Sequence, residues 1–338
     1  MYLKSSDWTV RDHRRRKFIM KKLLSKKMCL YIVLAILVVC LFNILTSKNS
    51  DTENNSMHYD EMFKTYYNYS KDSGLNGPKV SMDDSNLVKK LRDHFLIKPI
   101  EENKGYRNRY NLIDMSLEDP SMGQAAEIAK IIDYTKGGFF IECGALDGET
   151  RSNTLYFERY FGWMGLLIEA DPLNFVKMLK KGRRAYLSPT CLSINPYPEI
   201  VSFLQRSNMG RIAYDEVVED LVGINDIGKK DLPLVNVQCF PFYTYLLALN
   251  ISVIDYFSLD VEGSELNVLK TIPFDKIDIR TLSVEFFHVK EGDDSVRTFL
   301  ENKGYIVTGK VTRQDRLAND YIFAKPSVLT QNRSFYVT

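Results

Sequence analysis

The chain has 338 residues, of which 45% are hydrophobic and 26% are charged, a composition typical of a globular protein. Its formal net charge of +2 excludes a chain that is basic throughout, and nucleic-acid binding is not expected of it. The average conceals an asymmetry, because residues 1–27 contain ten Lys and Arg against two Asp, which gives this end +8 and the remainder −6.

An almost wholly apolar segment follows the basic one. Residues 28–45 contain Asn43 as the one clearly polar side chain, and at about 1.5 Å per residue they would span roughly 27 Å, close to a bilayer's hydrocarbon core. A cleaved signal peptide is the alternative, but both runs are long and no small-residue cleavage site follows. The sequence therefore predicts a cytosolic tail (1–27), a transmembrane signal anchor (28–45) and a lumenal or extracellular remainder.

The next segment is predicted to be a stem between the membrane and the folded domain. Residues 46–105 are rich in Asn, Ser, Asp and Lys, with a helix at 83–96 that would place Leu87, Leu91 and Phe95 on one face. A lumenal domain is expected at 106–338. Glycosylation sequons occur at four positions, which are Asn54, Asn68, Asn250 and Asn332.

Three cysteines follow the anchor. Cys143 is expected to be a buried hydrophobe, while Cys191 and Cys239 could pair if the fold brings them together. The chain has no Cys-x-x-Cys and no His-Glu-x-x-His, so we expect no structural zinc and no metal site of these kinds.

A glycine-containing loop follows the first predicted strand. A helix over 121–134, capped by Ser121, precedes the strand Phe139–Cys143, and the loop has the spacing acid-x-Gly-x-x-x-Gly. Its candidate ligand-binding residues are Glu142, Gly144, Asp147 and Gly148. This spacing resembles the first loop of S-adenosylmethionine-dependent methyltransferases, although a tight turn in any α/β protein, with Asp147 as a turn residue, is the alternative.

The second predicted strand, 162–169, ends in Glu169-Ala170-Asp171. An acidic residue about 20 positions after a glycine loop is where a nucleoside ribose is held through its hydroxyls, and a carboxylate accepts two such hydrogen bonds. The sequence therefore predicts Glu169 and Asp171 as further cofactor-binding residues.

Strands and helices then alternate, which predicts an α/β fold with a doubly wound, mostly parallel sheet and a ligand at the carboxyl ends of the strands. A third strand is expected at 184–193, an insertion at 194–240, and further strands at 254–259, 279–287, 305–311 and 321–324. Strand ends supply the candidate catalytic residues Asp260, Glu262 and His288. Alternatively, Asp260 caps the following helix and His288 is a packed or surface histidine.

Together these motifs resemble the FkbM family of methyltransferases over roughly residues 139–325. The resemblance is carried by Glu142-Cys143-Gly144-Ala145-Leu146-Asp147-Gly148, Ser152-Asn153-Thr154, Leu167-Ile168-Glu169-Ala170-Asp171-Pro172 and Leu259-Asp260-Val261-Glu262-Gly263-Ser264-Glu265. It implies a Rossmann-like, class I methyltransferase fold and an S-adenosylmethionine site at Glu142, Gly144, Gly148 and Glu169.

Within that family the chain looks most like the Star-type single-pass membrane proteins. That resemblance implies a role in vesicle-mediated export of membrane-tethered growth-factor precursors, ligands of the epidermal growth factor receptor, from the endoplasmic reticulum to the Golgi apparatus. The protein would reside in these membranes, with the plasma membrane and endosomes as further expected locations. The alternative is a lumenal O-methyltransferase acting on a hydroxyl of a glycan or lipid, with Asp260, Glu262 or His288 as base and a divalent ion on the paired carboxylates. The lack of an Asp-x-Asp triplet argues against a metal-dependent glycosyltransferase.

Overall fold

A computed structural model describes residues 74–99, 110–213 and 234–331. In chain order its strands are β1 (Phe139–Cys143), β2 (Met164–Ile168), β3 (Tyr186–Ser188), β4 (Cys191–Leu192), β5 (Glu199–Leu204), β6 (Arg211–Ile212), β7 (Leu234–Phe240), β8 (Val253–Leu259), β9 (Asp278–Glu285), β10 (Ile306–Thr312) and β11 (Asn319–Ala324). The α-helices are α1 (Ser85–His94), α2 (Gln124–Ile131), α3 (Leu155–Phe161), α4 (Pro172–Leu179), α5 (Phe242–Leu249), α6 (Glu265–Thr271), α7 (Asp293–Asn302) and α8 (Pro326–Gln331).

Seven strands form the main sheet, in the order β3-β2-β1-β8-β9-β11-β10. The first five are parallel, whereas β11 runs antiparallel to both β9 and β10. The order reverses beside β1, where the chain passes from β3 back across to β8, and such a switch point opens a crevice at the carboxyl ends of the strands. The predicted Rossmann-like, class I methyltransferase α/β fold with a mostly parallel sheet is confirmed.

Apolar residues cover both faces of this sheet, as expected for buried parallel strands. Along β1, Phe140 contributes to the core on one face and Ile141 to the core on the other, because successive strand residues point to opposite sides. Helices α2, α3 and α4 cover the Phe140 face, while α1, α5, α6 and α7 cover the Ile141 face.

The region between β3 and α5 forms a second sheet, with the order β4-β7-β5-β6. The single strand predicted at 184–193 is wrong, because the chain turns after Ser188 and β4 joins this second sheet rather than continuing β3. Cys191 and Cys239 are register partners in β4 and β7 and form a disulfide, which confirms the predicted pair. Cys143 is a buried free thiol, as expected.

Helix α1 packs on the domain core, which changes the expected start of the domain. Asp84 caps it by accepting hydrogen bonds from the backbone N–H groups of Asn86 and Leu87. Its apolar face is buried in the same cluster as α5, and Ile97 bridges to Leu187 beside β3. The segment 83–96, assigned to the stem from sequence, is therefore part of the folded domain.

Helix α2 also departs from expectation, because it begins at Gln124 with Gly123 as its N-cap rather than at Ser121. Ser121 still accepts hydrogen bonds from the backbone of Gly123 and Ala125. No helix within the described ranges is both long and apolar enough to cross a membrane. The predicted tail, anchor and most of the stem lie outside those ranges.

Candidate functional site

A cavity of about 350 Å³ lies at the carboxyl ends of β1, β2, β8 and β9. The second sheet and the turn between β10 and β11 complete its wall. Six of the nine residues predicted as cofactor-binding or catalytic line it, and they are Glu142, Gly144, Glu169, Asp260, Glu262 and His288. Three others, Asp147, Gly148 and Asp171, do not.

Gly144 is the point at which the ends of β1 and β8 meet. Its φ of +82° suits glycine, and a Cβ there would lie 1.8 Å from the backbone oxygen of Asp260. Backbone N–H groups on the same turn tie it to β2, since Gly144 and Ala145 both donate to the Ile168 carbonyl. The glycine is therefore required by a close backbone approach that brings the three strand ends to one cavity.

Glu142 is buried, and protein donors surround its carboxylate. It accepts hydrogen bonds from Ser152 Oγ at 2.9 Å, from the Asn153 backbone N–H at 2.8 Å and from Thr154 Oγ1. Burial raises the pKa of Glu142, while the nearby Arg183 guanidinium and these donors oppose that rise. Glu142 thus anchors the segment 152–154 beneath the cavity.

Arg183 completes this buried network. Its side chain pairs with Glu158, with Nε 2.9 Å from Oε2, and both side chains are 0% exposed. It also donates to the Gly148 carbonyl, to Ser152 Oγ and to Thr154 Oγ1. The loop after β1 is therefore fixed by one buried cation whose donors reach two parts of the loop.

Glu169 is buried at the end of β2 and has acceptor capacity left over. Its carboxylate accepts from the Leu146 N–H at 2.7 Å and the Asp171 N–H at 2.8 Å. Burial raises its pKa to about 8. Because a carboxylate has about four lone-pair positions, Glu169 keeps acceptor positions for the hydroxyls of a ligand in the cavity.

The three predicted residues outside the cavity have local roles. Asp147 accepts hydrogen bonds from the backbone of Glu149 and Thr150, so it closes the turn after β1. Gly148 packs against Met178, which a Cβ would approach to 2.8 Å. Asp171 is the N-cap of α4 and accepts from the Leu173 N–H at 2.8 Å.

Five carboxylates gather at the other side of the cavity, beyond β8, β9 and β11. They belong to Asp260, Glu262, Glu265, Glu285 and Asp320. Glu265 accepts from the backbone of Val261 and Gly263, Glu285 from that of Phe287 and His288, and Asp320 from Gln124 Nε2 at 2.8 Å. These bonds shape the loops, but no Arg or Lys of the described ranges forms an ion pair with the five carboxylates.

Crowding of like charges adds to burial in this cluster. Burial, then Glu262 and the other neighbouring carboxylates, raise the pKa of Asp260 well above its usual value. Burial and Glu285 raise the pKa of Glu265 to about 8, and burial raises that of Asp320 to about 7. Near neutral pH several of these groups therefore hold protons that ordinary carboxylates would have lost.

His288 lies against two of these acids. Its Nδ1 is 3.0 Å from Oε2 of Glu262 and 3.6 Å from Oε1 of Glu285. The contact with Glu285 raises the pKa of His288, against the effect of its partial burial, and Glu262 adds to the rise. Both carboxylates attract a proton to Nδ1, which leaves Nε2 as the nitrogen that can accept a proton from a substrate.

Three of the acids also have the spacing of a cation site. One oxygen each from Asp260, Glu265 and Glu285 lies within 4.8 Å of the others. Two of these three carboxylates already accept backbone hydrogen bonds, so the grouping also has a structural explanation.

Asn153 belongs to the site but was not among the site residues predicted from the sequence. It is 7% exposed, lines the cavity and donates from Nδ2 to Ser258 Oγ at 2.9 Å, while its Oδ1 has no partner. Its place beside Glu142 in the 152–154 segment was the available signal. Asp320 had none, because tertiary pairing of β11 with β9 brings it to the cavity.

Residues 142–307 match the family model described as the Methyltransferase FkbM domain. The resemblance to the FkbM family predicted from sequence is therefore confirmed over these residues, and the matched family uses S-adenosylmethionine, the cofactor predicted from sequence. A comparison with curated proteins found no match.

Among solved structures, TrmK of M. capricolum in complex with S-adenosylhomocysteine is 11% identical, with 59% of this chain and 67% of that chain covered and a TM-score of 0.31. The human methyltransferase 10 domain containing protein is 12% identical over 71% and 94%, with a TM-score of 0.34. The N-terminal domain of human METTL16 with S-adenosylhomocysteine is 13% identical over 79% and 93%, with a TM-score of 0.32. TM-scores this low do not establish a shared fold, so the fold assignment rests on the strand order of the main sheet.

Proposed function

We propose that the FkbM domain of this chain binds S-adenosylmethionine in the cavity and transfers its methyl group to a hydroxyl of an acceptor. The observation that carries this proposal is the convergence of Gly144, Glu169 and Asn153 with the acid–histidine cluster on one cavity. When bound, S-adenosylmethionine supplies an electrophilic methyl group on a positively charged sulfur.

The residues on the β1–β2 side fit such a cofactor. Glu169 offers acceptor positions to ribose hydroxyls, and the buried Oδ1 of Asn153 lacks a donor, which an ammonium group would supply. The acids across the cavity add acceptor oxygens, and the raised pKa values of Glu265 and Asp320 mean that part of this cluster is neutral near neutral pH. We infer that these groups hold and orient the cofactor.

His288 is the base that we assign to the transfer. S-adenosylmethionine held by Glu169 and Asn153 would supply the methyl group to the acceptor oxygen and would leave as S-adenosylhomocysteine, with the electron pair of the broken carbon–sulfur bond on sulfur. The hydroxyl proton passes to Nε2 of His288, and Glu262 and Glu285 stabilise the resulting imidazolium from the Nδ1 side. Asp260, which the sequence also favoured as base, is less suited because burial and Glu262 raise its pKa, so it releases its proton less readily than an ordinary carboxyl group.

The first test is calorimetric titration of the full-length chain, in neutral detergent, with S-adenosylmethionine and S-adenosylhomocysteine. We expect micromolar binding that Glu169→Gln weakens at least tenfold, because one oxygen that accepts becomes an amide that donates. Glu127→Gln, at a partly exposed position on α2 outside the cavity, is the matched control. Absence of heat at millimolar ligand with a folded chain would contradict the proposal.

A second candidate function is export of membrane-tethered growth-factor precursors, with the domain as a lumenal binding module. It is supported by the basic and apolar segments of residues 1–45 and by the Cys191–Cys239 disulfide, which is typical of oxidising compartments. Residence in the endoplasmic reticulum, Golgi, plasma membrane or endosomes belongs to this proposal. Cargo capture that persists when Glu169→Gln abolishes cofactor binding would favour it over catalysis.

A further inference from the structure

Two arginines line the cavity and a third, Arg211, lies between the lining residues Gly210 and Ile212; none of the three has a carboxylate ion-pair partner among the described residues. Arg151 and Arg316 line it, and the guanidinium groups of Arg151 and Arg211 act on the Glu262 carboxylate in the direction that lowers its pKa. Within residues 74–99, 110–213 and 234–331, no ion pair joins any of the three to an acid, whereas Arg183 and Arg280 are paired. The three side chains therefore keep their hydrogen-bond donors available.

The backbone presents two of these arginines in an unusual conformation. Arg151 has a φ of +58° and Arg316 a φ of +60°, a region that costs a residue with a side chain on the order of 1 kcal/mol. Of the eight non-glycine residues with positive φ in the described ranges, five line the cavity: Leu146, Arg151, Ser207, Glu262 and Arg316. Such strain is concentrated where the fold presents side chains to this space, which argues against a chance placement of the arginines.

The acids around the arginines do not cancel their charge. Glu265 and Asp320 are 0% and 3% exposed, and burial raises their pKa values to about 8 and about 7. Near neutral pH these groups are partly or largely protonated. Glu262 is the carboxylate that Arg151 and Arg211 both face, and His288 lies 3.0 Å from it. Glu262 thus stands among two arginines and a histidine, while Asp315, next to Arg316 in the chain, is paired with Arg313.

Apolar side chains lie beside Arg316 at the same cavity. Phe287, Leu317 and Met209 all line it and are 44%, 47% and 41% exposed. The Arg316 guanidinium lies 5.4 Å from the centre of the Phe287 ring, a cation–π arrangement that holds the cation over an aromatic face. An acceptor would therefore meet a cationic group and an apolar surface together.

We propose that Arg151, Arg211 and Arg316 form an oxyanion subsite, so that the acceptor carries a sulfate, phosphate or carboxylate close to the hydroxyl that is methylated. The planar guanidinium groups bind such oxyanions through paired N–H donors. Phe287, Leu317 and Met209 contact an apolar part of the same acceptor. This inference rests on the proposed methyl transfer for the role of the site, but anion binding is measurable without it.

The test uses small probes with the full-length chain in neutral detergent, with and without S-adenosylhomocysteine. The probes are 4-nitrophenyl sulfate, 4-nitrophenyl phosphate and 4-nitrobenzoate, with neutral 4-nitrobenzyl alcohol for comparison. We expect at least one anion to bind about tenfold more tightly than the alcohol, and Arg316→Gln and Arg151→Gln each to remove most of that difference. The ranking of the three anions identifies the oxyanion. Arg297→Gln, on α7 beside Asp294 and Glu301, is the charge-matched control and should change nothing.

Any one of several results would overturn the subsite. The alcohol binds as tightly as every anion, or Arg297→Gln lowers anion affinity as much as Arg316→Gln, or the cavity variants weaken S-adenosylhomocysteine and leave the anions unchanged. The last result would assign the arginines to the cofactor's carboxylate. If the wild-type protein binds S-adenosylhomocysteine but no anion, the subsite is refuted and the proposed cofactor site is not. If it binds an anion but not S-adenosylhomocysteine, the proposed cofactor site is refuted and the subsite is not.

Discussion

The two sides of the cavity treat buried carboxylates in opposite ways. On the β1–β2 side, burial raises the pKa of Glu142, and every neighbour that acts on it, Arg183 first, opposes that rise. On the β8–β9 side, burial raises the pKa of Asp260, and neighbouring carboxylates, Glu262 first, raise it further. A carboxylate near the end of a parallel strand is thus compensated by a cation in one place and crowded by other acids in the other.

This difference distinguishes carboxylates that hold the fold from carboxylates that are available to a ligand or a reaction. A compensated carboxylate with protein donors around it, such as Glu142, holds a loop and has little to offer a ligand. A crowded cluster costs stability and is retained where a function uses its protons or its charge. Glu169 lies between the two cases, because it has backbone donors but no cation, and it is the acid on the β1–β2 side that we expect to contact a ligand.

The largest effect is expected from removing the Arg183 guanidinium, which compensates buried carboxylates on the β1–β2 side. Arg183→Met leaves Glu158 buried without its cation and takes donors from the loop at Gly148, Ser152 and Thr154. We expect the free energy of unfolding to fall by about 3–5 kcal/mol in denaturant titrations. The double variant Arg183→Met/Glu158→Met should recover much of that loss, since an apolar pair carries no desolvation penalty. A loss below about 1 kcal/mol in the single variant would mean that the network does not hold the loop.

An effect that depends on pH is expected from relieving the crowded side. The folded-state pKa of Glu265 is about 8 against an ordinary value of 4.5, so its contribution to stability is complete below pH 4.5 and is lost as pH rises through 8. The free energy of unfolding should therefore decrease between these limits, by up to about 1.4 kcal/mol per pH unit from this group. Glu265→Gln should flatten the profile, and Glu127→Gln should not. Parallel profiles for wild type and Glu265→Gln would contradict the crowding.

Much of the fold followed from local patterns. The acids after β1, β2 and β8 were located because strand ends and turns are encoded by adjacent residues. Cys191 and Cys239 could be paired only conditionally, since their meeting depends on β4 leaving the main sheet for the second one. The split of the predicted third strand had a local signal in Pro189, which has no backbone N–H to donate and lies between β3 and β4.

The site was harder to predict than the fold, because a residue type does not reveal what surrounds it. Glu142 and Glu169 both end strands and both carry a carboxylate, yet Arg183, from the segment before β3, decides that one anchors a loop. Asp320 reaches the cavity through antiparallel pairing of β11 with β9, which links positions far apart in the chain. Partners of this kind are set by the tertiary structure, and they cannot be predicted from the spacing of residues along the chain.

The smallest effect concerns Asp171, which tests where the β1–β2 scaffold ends and ligand binding begins. Its carboxylate caps α4 and accepts from Gln205 Nε2 at 2.9 Å, outside the cavity. Asp171→Ala should therefore lower the free energy of unfolding by about 1 kcal/mol and leave the affinity for S-adenosylhomocysteine within about twofold, whereas Asp171→Asn should keep most of the stability because Asn is also a good N-cap. Should both variants lose about tenfold in cofactor affinity at unchanged stability, Asp171 would contact the ligand, as its sequence position suggested, and the boundary drawn between scaffold and site at the end of β2 would have to move.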